Sequence, residues 1–154
     1  MSYLVLLLFH SFLTNTFSSE IEKVNDQDNK KDGIELIINN IRNKKGLLQI
    51  GLFNSENGYP ESSSNSFSLA KDTIFSGQLR FFIPVHQPCS FAITILDDEN
   101  ENGKMDRIFV IKPKEGFGFS NNPKIPGRKA PPFNETVIKY SGGRMEVIIN
   151  MKYM

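Results

Sequence analysis

The sequence predicts an all-β fold: an antiparallel immunoglobulin-like or prealbumin-like β-sandwich of about seven strands. Three observations lead there. Short segments alternate apolar and polar residues with a period of two. Clusters of Gly, Pro, Asn and Ser separate them. No segment shows the periodicity and caps of a long amphipathic helix. With 154 residues the chain suits one domain with one core. Its 39% hydrophobic and 23% charged residues are ordinary for a globular protein.

The elements follow in order. Residues 1–19, MSYLVLLLFHSFLTNTFSS, hold an apolar run from Tyr3 to Phe9 and no charged side chain. The run is short for a bilayer span and ends in small polar residues, the pattern of a cleavable signal peptide. An uncleaved anchor or a buried first strand is the alternative. Residues 20–32 are polar and read as a flexible linker, so the domain is expected over 33–154. GIELIINNI (33–41) and LLQIGLFN (47–54) are strand-like and flank RNKKG, which suggests a hairpin. SENGYPESSSNS (55–66) is a loop, and FSLAKDTI (67–74) fits either a strand or a helical turn. QLRFFIPV (78–85) puts Leu79, Phe81, Ile83 and Val85 on one face. SFAITILD (90–97) does the same with Phe91, Ile93 and Ile95. At the end, ETVIKYS and RMEVIINMKY flank Gly142-Gly143 and suggest a second hairpin.

DDENENGKMD (97–106) carries the first chemical signal. Asp98, Asn100 and Asn102 stand at alternate positions, Gly103 follows, and Asp106 closes the set. This is the first half of an EF-hand loop, in which alternate oxygens, and the backbone carbonyl after the glycine, here that of Lys104, converge on one hard cation. The twelfth position is Phe109 rather than Glu, so a bidentate ligand is missing. A calcium loop between strands 90–97 and 107–111 is the reading, with Asp97 or Glu99 able to add an oxygen. Its dissociation constant is expected at roughly 10⁻⁴–10⁻³ M, suited to an external compartment. A plain solvated turn explains the same residues, because Asp, Asn and Gly are turn formers.

KPKEGFGFSNNPKIPGRKAPPF (112–133) holds five prolines and three glycines besides the final Phe133, and is expected to lack regular structure. Its Glu115, Phe117, Phe119, Ser120, Asn121 and Asn122 form the candidate binding surface, for a sugar or a peptide. Alternatively the two Phe side chains pin the segment to the core.

LLQIGLFNSENGYP, TILDDENENGKMD, PKEGFGFSNNP and APPFNETVI occur in this order. Together they resemble the bacterial family called domain of unknown function 2141, over roughly residues 34–153. The resemblance implies a small exported bacterial β-sandwich protein and no particular activity. The motif positions are Asp98, Asn100, Asn102, Gly103, Asp106, Glu115, Gly116, Gly118, Phe119, Ser120 and Asn121. Asp97 stands where that resemblance leads one to expect His. The acidic loop also resembles the calcium loops of surface-adhesin sandwich repeats.

Several classes are disfavoured. A net charge of +1 gives no field for nucleic acid. The single Cys89 forbids an internal disulfide and is expected as a small buried hydrophobe at a strand entrance. His86 and Cys89 alone do not make a zinc site, and no G-x-S-x-G motif is present. The expected function is therefore an exported, non-enzymatic module, in the periplasm, on the cell surface or secreted. It would carry a calcium-stabilised loop, bind an unknown ligand or envelope partner, and have no transmembrane helix when mature. The alternative is a small glycan hydrolase using carboxylates near Glu115 and Asp98.

Overall fold

The computed structural model describes residues 31–108, 112–125, 127 and 129–154. The signal-peptide expectation and most of the linker lie outside them. The strands are β1 (Gly33–Asn39), β2 (Leu47–Phe53), β3 (Asn65–Ala70), β4 (Leu79–Pro84) and β5 (Cys89–Asp98). They continue with β6 (Arg107–Ile108), β7 (Lys112–Pro113), β8 (Gly116–Phe119), β9 (Val137–Tyr140) and β10 (Arg144–Asn150). One short helix, α1 (Phe133–Thr136), precedes β9. Among the described residues no helix is long and apolar enough to cross a membrane.

Two sheets face each other. One has the order β10-β1-β4; the other has the order β3-β2-β5-β8, with β9 pairing the first half of β5. All pairs are antiparallel except β1 with β10, which run parallel. The alternating positions Ile34, Leu36 and Ile38 of β1 meet Leu48 and Ile50 of β2 and Ile93 and Ile95 of β5 in one apolar core. Burying such side chains contributes about 1.5–3 kcal/mol each before the entropy of ordering them. The sheets join at one margin, where Phe117 and Lys152 exchange backbone hydrogen bonds of 3.0 and 2.8 Å. At the other margin Phe67 of β3 and Phe81 of β4 touch edge to face.

Several expectations are corrected. β1 and β2 are not a hairpin: they belong to different sheets, and residues 40–46 carry the chain between them. β9 and β10 are not a hairpin either. Gly142-Gly143 is a crossover, pinned where the Tyr140 hydroxyl meets the Gly143 carbonyl at 2.6 Å. Alternation specifies which face of a strand is buried, not which neighbour it pairs with, so a sheet change and a hairpin read alike. FSLAKDTI resolves as strand β3 through Ala70. Residues 112–133 are not irregular throughout, since they hold β7 and β8. Cys89 is exposed rather than buried, because β5 enters the core only at Phe91.

Candidate functional site

β5 positions the site. Its inward side chains run Phe91, Ile93, Ile95, Asp97; its outward ones run Ala92, Thr94, Leu96, Asp98. Asp97 and Asp98 are both fully buried, on opposite faces of the sheet.

Asp98 holds the acidic loop from below. Its carboxylate accepts the backbone N–H of Asn102 at 3.0 Å and of Gly103 at 2.8 Å. Gly103 takes the left-handed conformation, φ 73°, that this turn requires. Asn100 and Asn102 donate their amides to the two carboxylate oxygens of Asp106, at 2.7 and 3.1 Å. The Asn102 side-chain oxygen accepts the Lys104 N–H at 2.8 Å. Of the sequence-predicted metal positions, the Asn100, Asn102 and Asp106 side chains thus meet one another and Asp98 holds the backbone of the same loop, while Lys104, expected to contribute its carbonyl, has an exposed side chain. Among the described residues, no group of three or more His, Cys, Asp and Glu side chains is placed to hold a metal ion. Any cation here would rest on two carboxylates together with amide and carbonyl oxygens.

Glu115 completes the loop from the other side. One of its oxygens accepts the Glu99 N–H at 3.0 Å and the other the Asp106 N–H at 3.1 Å. It is buried, and both oxygens serve the backbone. The GFGF stretch that follows is β8. Its glycines face inward, where a Cβ at Gly116 would lie 2.2 Å from the Tyr153 ring and one at Gly118 2.6 Å from Ile149. Packing, not backbone conformation, demands glycine at both positions. Phe117 and Phe119 face outward with rings 6.0 Å apart.

Ser120, Asn121 and Asn122 act as stitches. Ser120 is buried and its hydroxyl accepts the Ile93 N–H at 2.9 Å. Asn121 donates to the Val137 carbonyl at 2.9 Å. Asn122 mimics a strand neighbour of β10, donating to the Ile148 carbonyl and accepting the Asn150 N–H. Of the expected binding surface, only the two Phe side chains reach the cleft described next.

That cleft, about 740 Å³, lies on the outer face of the larger sheet. Gly51, Thr94, Leu96, Phe117 and Phe119 form its floor. A Cβ at Gly51 would crowd Thr94 and Ser63, so the missing side chain deepens the floor. Gly103, Lys104, Met105 and Arg107 wall one side, which brings the acidic loop to the cleft edge. Pro60 and Glu61 form a second wall, anchored by Tyr59 packed edge-on against Phe53 and Phe133. Ile125, Lys129 and Ala130 form the third. Among the described residues the rim carries Lys104, Arg107 and Lys129 against Glu61, an excess of positive charge.

The family described as an uncharacterized protein conserved in bacteria (DUF2141) matches residues 36–148. The chain belongs to this family. No curated protein and no solved structure matches it. The stretch matched to the family spans both β5 aspartates, the acidic loop, β8 and every wall of the cleft.

One constellation escaped the sequence reading. On the inner face Asp97 contacts the Lys71 ammonium, and neither side chain has any exposure. Lys71 also donates to the Lys45 carbonyl. The Tyr153 hydroxyl donates to the second oxygen of Asp97 at 2.6 Å, and the Arg42 guanidinium lies 4.5 Å over the Tyr153 ring. Burial first, then the Asp97 carboxylate, push the Tyr153 phenol well above its ordinary pKa, so it stays a donor. The signal was present: Phe67 and Leu69 of β3 share a parity with Lys71 just past its end, as Ile93, Ile95 and Asp97 do on β5. Each apolar face ends in a charge of opposite sign.

Proposed function

We propose that this chain is an exported, non-enzymatic binding module whose acidic loop, set by calcium, walls a ligand cleft. One observation carries the reading. The DENENGKMD loop and the GFGF strand, the two most distinctive stretches of the sequence, form adjoining sides of one concavity. Calcium would take the place of the two amide donors on Asp106, with Asn100 and Asn102 turning their oxygens inward and Asp98 supporting the turn. The floor of Phe117, Phe119 and Leu96 under a rim of Lys104, Arg107 and Lys129 favours a ligand with an apolar body and an acidic group. Glu115 and Asp98 spend both oxygens on backbone N–H groups, which supports a scaffold role over proton transfer to a glycan.

Thermal unfolding with millimolar calcium and with a chelator tests the reading. Calcium at ten times its dissociation constant adds about 1.4 kcal/mol, several degrees for a domain of this size. The shift is expected in the wild-type chain and is expected to vanish in Asp98→Ala. An identical melting temperature at every calcium concentration would return the loop to a hydrogen-bonded turn.

A further inference from the structure

We propose that Lys71 and Asp97 condense to an amide that cross-links the end of β3 to β5. The reactants are in direct contact and sealed from water, with no exposure of either side chain. A buried ion pair carries a desolvation cost of several kcal/mol per ion, which its mutual attraction often fails to recover. Amide formation removes both charges at once. It also supplies the covalent tie that a chain with one cysteine cannot obtain from a disulfide.

The surrounding groups suit the step. The Lys45 carbonyl accepts one N–H of Lys71 and aligns the amine. Tyr153 donates to Asp97 Oδ2 at 2.6 Å, where negative charge gathers as the tetrahedral carbon forms. One ammonium proton first passes to Asp97 Oδ1, leaving a neutral amine beside a carboxylic acid. Lys71 Nζ then attacks Asp97 Cγ, so an Nζ–Cγ bond forms; a second proton passes from Nζ to Oδ1, the Cγ–Oδ1 bond breaks and Oδ1 departs as water. One proton stays on the amide nitrogen. No oxidant or activating group is needed, because fixed contact replaces a bimolecular encounter. Arg42 and Tyr153 cover the site, which limits the return of water for hydrolysis.

Intact mass of the purified chain in denaturant reads the outcome. The wild type is expected lighter than its sequence by one water, and proteolysis is expected to yield a branched peptide joining the segments around Lys71 and Asp97. Lys71→Arg keeps the charge but has no nucleophilic amine, so it is expected at full mass. Asp97→Asn releases ammonia in place of water and is expected to end at the mass of the cross-linked wild type, with the same branched peptide. Tyr153→Phe is expected to accumulate uncondensed chain. A wild type at full sequence mass overturns the proposal, and so does a loss of water that persists in Lys71→Arg. The branched peptide decides the matter even where a variant fails to fold.

Discussion

Asp97 and Asp98 are neighbours on one strand, equally buried and identical in chemistry, yet they do different work. Asp97 faces the interior, where a single ammonium and a phenol meet it. Asp98 faces the outer loops, where backbone N–H groups of Asn102 and Gly103 meet it. Strand parity makes the difference, since successive side chains leave a sheet on opposite sides. Asp97 depends on two long-range partners, 26 and 56 residues away in sequence. Asp98 depends on the loop that immediately follows it. The first should govern the stability of the whole sandwich, and the second the order of one wall of the cleft.

The largest effect is expected where the interior pair is broken on one side only. Lys71→Met leaves Asp97 buried with neither its cation nor a cross-link and should cost at least about 3–5 kcal/mol, the usual range for an orphaned buried charge. The double variant Lys71→Met/Asp97→Leu carries no such charge and should cost less than either single change. Denaturant unfolding of the four proteins measures the cycle. Additive losses would mean that Lys71 and Asp97 are not coupled, and the contrast with Asp98 would collapse.

A middle-sized effect is expected at Glu115, which shares the loop with Asp98. Glu115→Gln replaces an acceptor oxygen by an NH₂ group that faces a backbone N–H, either of Glu99 or of Asp106. One buried donor is then unsatisfied, at a cost of about 1–3 kcal/mol. Hydrogen exchange should report the loss at the amides of Glu99 and Asp106 while β1 and β2 stay protected. If a glycosidase acid were the true role of Glu115, the same change would leave the fold untouched and abolish turnover on a glycan.

Much of the sandwich was legible because a buried strand must alternate. The inward faces of β4, β5 and β10 follow from their apolar positions alone. Which strands pair was not legible, since the segment after β1 could turn back or cross to the other sheet with the same residues. The acidic loop announced itself, because Asp, Asn and Gly at those spacings fix local geometry within ten residues. The interior pair did not, because Lys71 and Asp97 meet only after β3 and β5 flank β2. β8 was hidden for another reason. Gly116 and Gly118 look like turn residues, and only the packing of Tyr153 and Ile149 shows why a strand needs them there.

The smallest expected effect lies at the boundary between the two aspartate environments, on the next residue of the chain. The Arg42 guanidinium, bonded to Glu99 at 2.5 Å, holds the Glu99 carboxyl below its ordinary value of 4.5, against a smaller opposing effect of burial. A depressed carboxyl stabilises the fold fully above that ordinary value, and the contribution disappears as pH falls through the folded-state value. Arg42 is 40% exposed, so solvent screens the pair and about 0.5 kcal/mol is at stake. The acid slope of the whole protein cannot isolate this, because Arg144 and Arg80 depress Glu35 in the same direction. The informative quantity is the stability difference between wild type and Glu99→Gln. It should be positive at pH 7 and shrink towards zero at pH 3. A difference that persists at pH 3 would mean that Glu99 acts through hydrogen bonds from Arg42 and Asn43 that outlast its charge.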